Sequence, residues 1–319
     1  MNSHQICVAP MMDWSDRHFR FFMRQINSRA FLYTEMITTG ALIHGDVPRH
    51  LEFSEEEHPV ALQLGGSEPG DLAKCARLGE QYGYDEINLN IGCPSERVQK
   101  GAFGACLMAE PALVAECVKA IRNEVKLPVT VKHRTGIDSI EDYGFLKHFV
   151  ETTAAAGCTT FIAHARNAVL KGLSPKENRE IPPLKYDYVY RLKQESPQLR
   201  IIINGGITTK NEIEAHLAHV DGVMLGRAAY HNPWVLADAG KTRADVVRRM
   251  VDYCKSLPAQ SFSIRNVARH MLGLYHGTPR ARLWRQRLSD AALLKRNDPD
   301  LLVETLAAVE SGRGMMIAA

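Results

Sequence analysis

The chain contains no apolar run approaching the roughly 20 residues of a membrane-spanning helix, so an integral helical membrane protein is excluded. No Cys-x-x-Cys or His-x-x-x-His pair occurs, the spacing of a zinc site is missing, and no metal is expected. Seven cysteines make an odd set without a regular framework, which fits a reducing compartment rather than a disulfide scaffold. Met1 to Met12 offers neither a basic lead nor an apolar core, so no export signal is expected, and a cytoplasmic monomer is the expectation. No Gly-x-Gly-x-x-Gly opens a helix after a strand, which disfavours a dinucleotide-binding fold. With 45% apolar and 24% charged residues, the 319-residue chain is an ordinary globular protein with room for one large domain and a smaller one.

Short apolar strands recur over residues 1–228. They are expected at Ile6–Met11, Phe31–Ile37, Val60–Leu64, Glu86–Asn90, Val129–Lys132, Thr160–His164, Arg200–Asn204 and Gly222–Leu225. Helical patterns lie between most of them, at Asp16–Ile26, Asp71–Tyr82, Pro111–Glu124, Ile140–Ala156, Tyr186–Glu195 and Thr209–Leu217. Pro111 suits a first helical position and Thr209 a cap. Eight βα units predict an α/β protein of the parallel (β/α)8 TIM-barrel class, with an open doubly wound sheet as the alternative. Past residue 240 the strand signals stop and only helical periods remain. The expected division is therefore a barrel over 1–240 and a small all-helical domain over 241–319. The charges divide in the same way, with a balance of −4 over 1–240 and +7 over 241–319.

A barrel collects its chemistry at the C-terminal ends of its strands. Those ends carry Pro10-Met11-Met12, Gln63, Asn90 with Cys93, Lys132 with Arg134, His164 with Arg166, Asn204-Gly205-Gly206 and Gly226-Arg227. Cys93 lies between Gly92 and Pro94 just past a strand, on a pre-set turn, whereas the other six cysteines sit in strand or helix patterns. The glycines after strands seven and eight, with Arg227, match the usual barrel phosphate site. Lys132, from an alternating strand, can face the barrel mouth and stabilise the anionic edge of a reduced flavin. These features suit flavin mononucleotide (FMN). A reduced flavin delivers hydride to a polarised C=C and leaves an enolate to be protonated. A thiol with an ordinary pKa near ~8.5 is a suitable acid for that step. From Arg265 to Arg287 the chain has six arginines and no acidic residue, which reads as a phosphate-binding face rather than a solvated one.

The stretches Ala9-Pro10-Met11, Gln63-Leu64-Gly65-Gly66, Asn88-Leu89-Asn90-Ile91-Gly92-Cys93-Pro94, Val131-Lys132-His133-Arg134, His164-Ala165-Arg166, Asn204-Gly205-Gly206 and Gly226-Arg227 resemble the tRNA-dihydrouridine synthases. Tyr33-Thr34-Glu35-Met36, residues 54–59 and residues 173–180 resemble the bacterial A-type branch, whose targets are uridines 20 and 20a of the tRNA D-loop. The resemblance implies an FMN enzyme that reduces the uracil C5=C6 bond with electrons from NADPH. Cys93 would then be the proton donor to C5. Pro10, Met11, Met12, Gln63, Lys132, His164, Asn204, Gly205, Gly206, Gly226 and Arg227 would hold FMN. Asn90, Lys176, Arg179, Arg282 and Arg285 would contact tRNA, and Arg134 would face the uracil.

Two rival readings share the barrel. A flavin dehydrogenase of free pyrimidines leaves the arginine-rich segment without a job. A non-catalytic tRNA binder predicts a colourless protein.

Overall fold

The computed structural model describes residues 4–260 and 262–311. Among these, eight parallel strands form one sheet: β1 (Ile6–Val8), β2 (Leu32–Thr38), β3 (Val60–Gly65), β4 (Glu86–Ile91), β5 (Val129–Arg134), β6 (Thr160–His164), β7 (Arg200–Asn204) and β8 (Gly222–Leu225). Their order is β1-β8-β7-β6-β5-β4-β3-β2, every pairing parallel. Val8 N–H donates to Phe31 O at 2.9 Å and Phe31 N–H to Ile6 O at 2.8 Å, so β1 also meets the chain entering β2 and the barrel closes.

Parallel strands need long crossovers, and helices supply them. The helix Pro111–Glu124 begins with its proline in the first turn, and Lys210–Leu217 carries the expected Thr209 cap as a capping box with Glu212. Between β2 and β3, where the sequence pattern is weak, the chain uses two short helices, Thr39–His44 and Val47–Leu51. Side chains alternate along each strand between the helices and the interior. Cys7, Ala9, Phe31, Tyr33, Ala61, Ile162, Ile202 and Met224 form one buried apolar cluster within the barrel. The first strand stops at Val8, short of the Met11 expected from apolar pattern alone. Met11 O instead accepts from the backbones of Trp14 and Ser15, which makes Pro10-Met11-Met12 part of a turn.

Packing places the boundary elsewhere than residue 240. One compact unit comprises residues up to Ser15 and Arg29–Gly226; the other comprises Asp16–Ser28 and the chain from Arg227. The helix Arg17–Ile26, adjacent in sequence to the first strand, thus belongs to the helical unit. Its Phe21 stacks on Tyr253 with ring centroids 4.0 Å apart, and Asp16, its N-cap, pairs with Arg269 at 2.6 Å and His270 at 3.0 Å. Residues 312–319 of the domain expected over 241–319 lie outside the described residues.

Candidate active site

β4 presents Glu86, Asn88 and Asn90 on the same face at a period of two. The strand ends at Ile91 and the chain turns through Gly92-Cys93-Pro94. Asn90 holds this turn: its Oδ1 accepts from Cys93 N–H at 3.0 Å and Gly92 N–H at 3.2 Å, and its Nδ2 donates to Gln63 Oε1 at 2.8 Å. The residue read as a tRNA contact thus also builds the thiol's platform. Behind the turn, Gly104 has φ +79°. A Cβ there would fall 2.7 Å from Cys93 O and 2.5 Å from Val98 Cγ1, so only glycine lets this segment support the cysteine. The neighbouring Ala105 N–H donates to Cys93 O at 2.9 Å.

Cys93 is partly buried, and its environment raises the thiol pKa above the ordinary value. Burial is the main cause, opposed by a hydrogen bond from the Ser95 backbone and by Arg134, Arg179 and Lys132. The thiol therefore keeps its proton at neutral pH, while three cations stand ready to stabilise the thiolate left after proton donation.

Lys132 pairs in register with Asn90 across β4 and β5. Part of its surface is accessible, but its ammonium group is buried deeply enough to be pushed down to about 7, chiefly by desolvation and then by Arg134. It has no hydrogen bond or ion pair among the described residues. Arg134, also on β5, is buried and clamps backbone: Nε donates to Gly92 O at 3.1 Å, and Nη1 to Asn167 O at 3.1 Å and Asn178 O at 2.8 Å. It braces the cysteine turn against the segment after β6. Burial, then Arg134 and Lys132, hold His164 well below the usual histidine range, so its imidazole is neutral.

Asn204 ends β7 and donates from Nδ2 to Met224 O at 2.8 Å, tying the ends of β7 and β8 together. Gly205 and Gly206 follow at φ +113° and +75°. A Cβ on Gly205 would lie 2.6 Å from His164 Cδ2, and one on Gly206 2.7 Å from Leu184 Cδ1 and Tyr186 Oη. Both conditions require glycine and leave backbone rather than side chain at the barrel end. Gly226 follows β8, where a Cβ would meet only Ala9 and Met11 at ordinary contact distances. Met11 N–H donates to Ser15 Oγ at 2.9 Å, and Met12 is exposed. Arg227, the next residue, opens the helix Arg227–His231 and is counted with the helical unit.

Lys176 and Arg179 bracket a short 3-10 turn and are exposed. The buried Asn178 between them fixes the loop through Val169, Leu173 and Ser174, a role with no distinct signal in the sequence. In the helical unit the six arginines divide. Arg269 pairs with Asp16, Arg287 with Glu304 and Thr305, and Arg280 caps Ala308 O. Arg265, Arg282 and Arg285 are exposed, and their side chains have no ion pair among the described residues. The apparent absence of acids was local in sequence only, because Asp16 and Glu304 arrive from distant helices.

No group of three or more His, Cys, Asp or Glu suited to a metal occurs among the described residues, and no helix there is long and apolar enough to cross a membrane.

The family model for dihydrouridine synthase (Dus) matches residues 7–310. A tRNA-dihydrouridine(20/20a) synthase of Synechocystis sp. is 54% identical, with 98% of this chain and 96% of that protein covered. Proteins of the same name from Shewanella oneidensis (55% identity, 89% and 88% covered) and Escherichia coli K12 (53%, 98% and 93%) are similarly close. Among solved structures, a 2-naphthoyl-CoA reductase complex aligns with a TM-score of 0.58 at 11% identity. That alignment covers 73% of this chain and about half (49%) of the reductase, and it shows the barrel fold alone.

Proposed function

From a chain that belongs to the dihydrouridine synthase family, we propose an enzyme that reduces the C5=C6 bond of uridines 20 and 20a in tRNA. The observation that carries the reading is Cys93: a thiol on a braced turn at a strand end, its pKa raised by burial, with Lys132 in the adjacent strand.

The residues fit flavin mononucleotide. Lys132 carries a desolvated ammonium with no anion among the described residues, which suits the anionic edge of a reduced isoalloxazine. Gly205 and Gly206 leave bare backbone where a Cβ would collide, which suits close approach by a phosphate. Pro10, Met11, Met12, Gln63, His164, Asn204 and Gly226 complete the set in the barrel unit. Held by these residues and drawing electrons from NADPH, a flavin would supply the hydride for C6 of the uracil.

The chain's own residues do the rest. Cys93 gives the proton from Sγ to C5, so the hydride and the proton together saturate the double bond. Lys132, Arg134 and Arg179 lower the cost of the resulting thiolate, which regains its proton from water. Asn90 and Arg134 hold the turn, limiting the motion of Sγ relative to the base. A D-loop uridine must leave its stack to reach a strand-end site, at a cost of a few kcal/mol. Backbone contacts from Lys176, Arg179, Arg282 and Arg285 offset it.

The helical unit offers a direct test. Replacing Arg282 and Arg285 together with alanine is expected to reduce the slope of log affinity against log salt by about 1.4–1.8, at roughly 0.7–0.9 per lost phosphate contact. Flavin content is expected to remain at the parent level. A double variant with parent affinity and parent salt slope would remove these arginines from the interface.

A further inference from the structure

The polar residues of β3, β4 and β5 make one continuous hydrogen-bonded chain through the barrel interior. Glu86 lies at its base, fully buried, with Oε2 2.7 Å from His4 Nε2. Its Oε1 accepts from Tyr33 Oη at 3.2 Å and from Thr130 Oγ1 at 2.6 Å. Thr130 Oγ1 accepts from Asn88 Nδ2 at 2.8 Å, and Asn88 Oδ1 accepts from Gln63 Nε2 at 2.7 Å. Gln63 Oε1 then accepts from Asn90 Nδ2, and Asn90 Oδ1 takes the N–H groups of Gly92 and Cys93.

The direction of this chain is forced from both ends. A carboxylate only accepts, so the Thr130 hydroxyl must donate downward and receive from Asn88. A backbone N–H only donates, so Asn90 must present its oxygen to Cys93. Turning any one amide over would set donor against donor and acceptor against acceptor. Asn88, Gln63 and Thr130 are at most 1% exposed, so water cannot repair such a mismatch.

We propose that Glu86, Thr130 and Asn88 are positioning residues that act through Gln63 and Asn90 to fix the Cys93 turn. The polar alternation Glu86-x-Asn88-x-Asn90 is then a relay that ends at the cysteine turn. This inference rests on Cys93 as the proton donor.

The test compares Thr130→Val, which keeps shape and removes the hydroxyl, with Thr130→Ser, which restores it. Two readouts are taken on full-length, flavin-loaded protein: kcat and KM for tRNA, and the iodoacetamide alkylation rate of Cys93 followed by peptide mass spectrometry. Thr130→Val is expected to lose on the order of tenfold to a hundredfold in kcat with KM for tRNA unchanged. Its Cys93 is expected to alkylate several-fold faster, and Thr130→Ser to resemble the parent in both readouts. If Thr130→Val does not fold, Asn88→Leu breaks the chain one link higher with the same expectation. Parent kcat and alkylation in the valine variant, or a serine variant as impaired as the valine one, would overturn the relay. Alkylation needs no turnover, so a parent protein inactive on tRNA counts against the dihydrouridine reading while the alkylation contrast still decides the relay.

Discussion

Cys93→Ala is expected to bind tRNA and flavin as the parent does and to form dihydrouridine on the order of a hundredfold to ten-thousandfold more slowly. The turn does not depend on the side chain: Asn90 and Ala105 grip the Cys93 backbone, and Arg134 grips Gly92. The substitution therefore removes the acid and little else. A pH signature accompanies it. The thiol is active when protonated and its pKa is raised by burial, so the parent's proton-transfer step should hold level through neutral pH and fall only above the ordinary thiol range. The check is single-turnover formation of dihydrouridine with tRNA in excess of its dissociation constant. An alanine variant at near-parent rate at neutral pH would remove Cys93 from the chemistry.

Lys132→Ala is expected to weaken flavin binding by on the order of tenfold to a hundredfold, the cost of losing a hydrogen bond to a charged group. Here the pH sign can be worked out. Lys132 without an anionic neighbour is pushed down to about 7, and contact with an anion raises that value. Below about pH 7 the lysine is charged in both free and bound protein, and affinity is at its plateau. As pH rises above about 7, binding must take up a proton, so parent affinity should fall, by at most about tenfold per pH unit. The alanine variant should be weak and flat over the same range. Titrating flavin-free protein anaerobically with reduced FMN, followed by quenching of the protein's tryptophan fluorescence, reads both effects. A parent curve flat with pH, or an alanine variant that keeps its full complement of flavin, would move the anion away from Lys132.

Much of the barrel was legible because its signals are local. Thr160–His164, Arg200–Asn204 and Gly222–Leu225 read as apolar runs closed by small or polar residues, and they fold within the bounds their pattern implies. Gly205 and Gly206 both lie at positive φ, a backbone conformation that leaves its trace in residue type. What was not legible is long-range. The helix Arg17–Ile26 gathers Phe19, Phe22, Met23 and Ile26 on one face, which announces burial but not that its partners lie more than 200 residues later. Likewise, a run of arginines without neighbouring acids cannot reveal that Asp16 and Glu304 neutralise part of it. Asn90 stood out beside Cys93, yet Glu86, Asn88 and Thr130 did not. Each looks like an isolated polar interruption of an apolar strand, and only the pairing register joins them into one chain.

The most direct test of the account is a mass-spectrometric map of dihydrouridine in tRNA from a strain that lacks this gene and is complemented in turn by the parent and by Cys93→Ala. The account predicts that dihydrouridine at positions 20 and 20a, the positions named for the relatives, disappears on deletion, returns with the parent and stays absent with the alanine variant. Unchanged dihydrouridine at both positions in the deletion strain, or full restoration by Cys93→Ala, would contradict it.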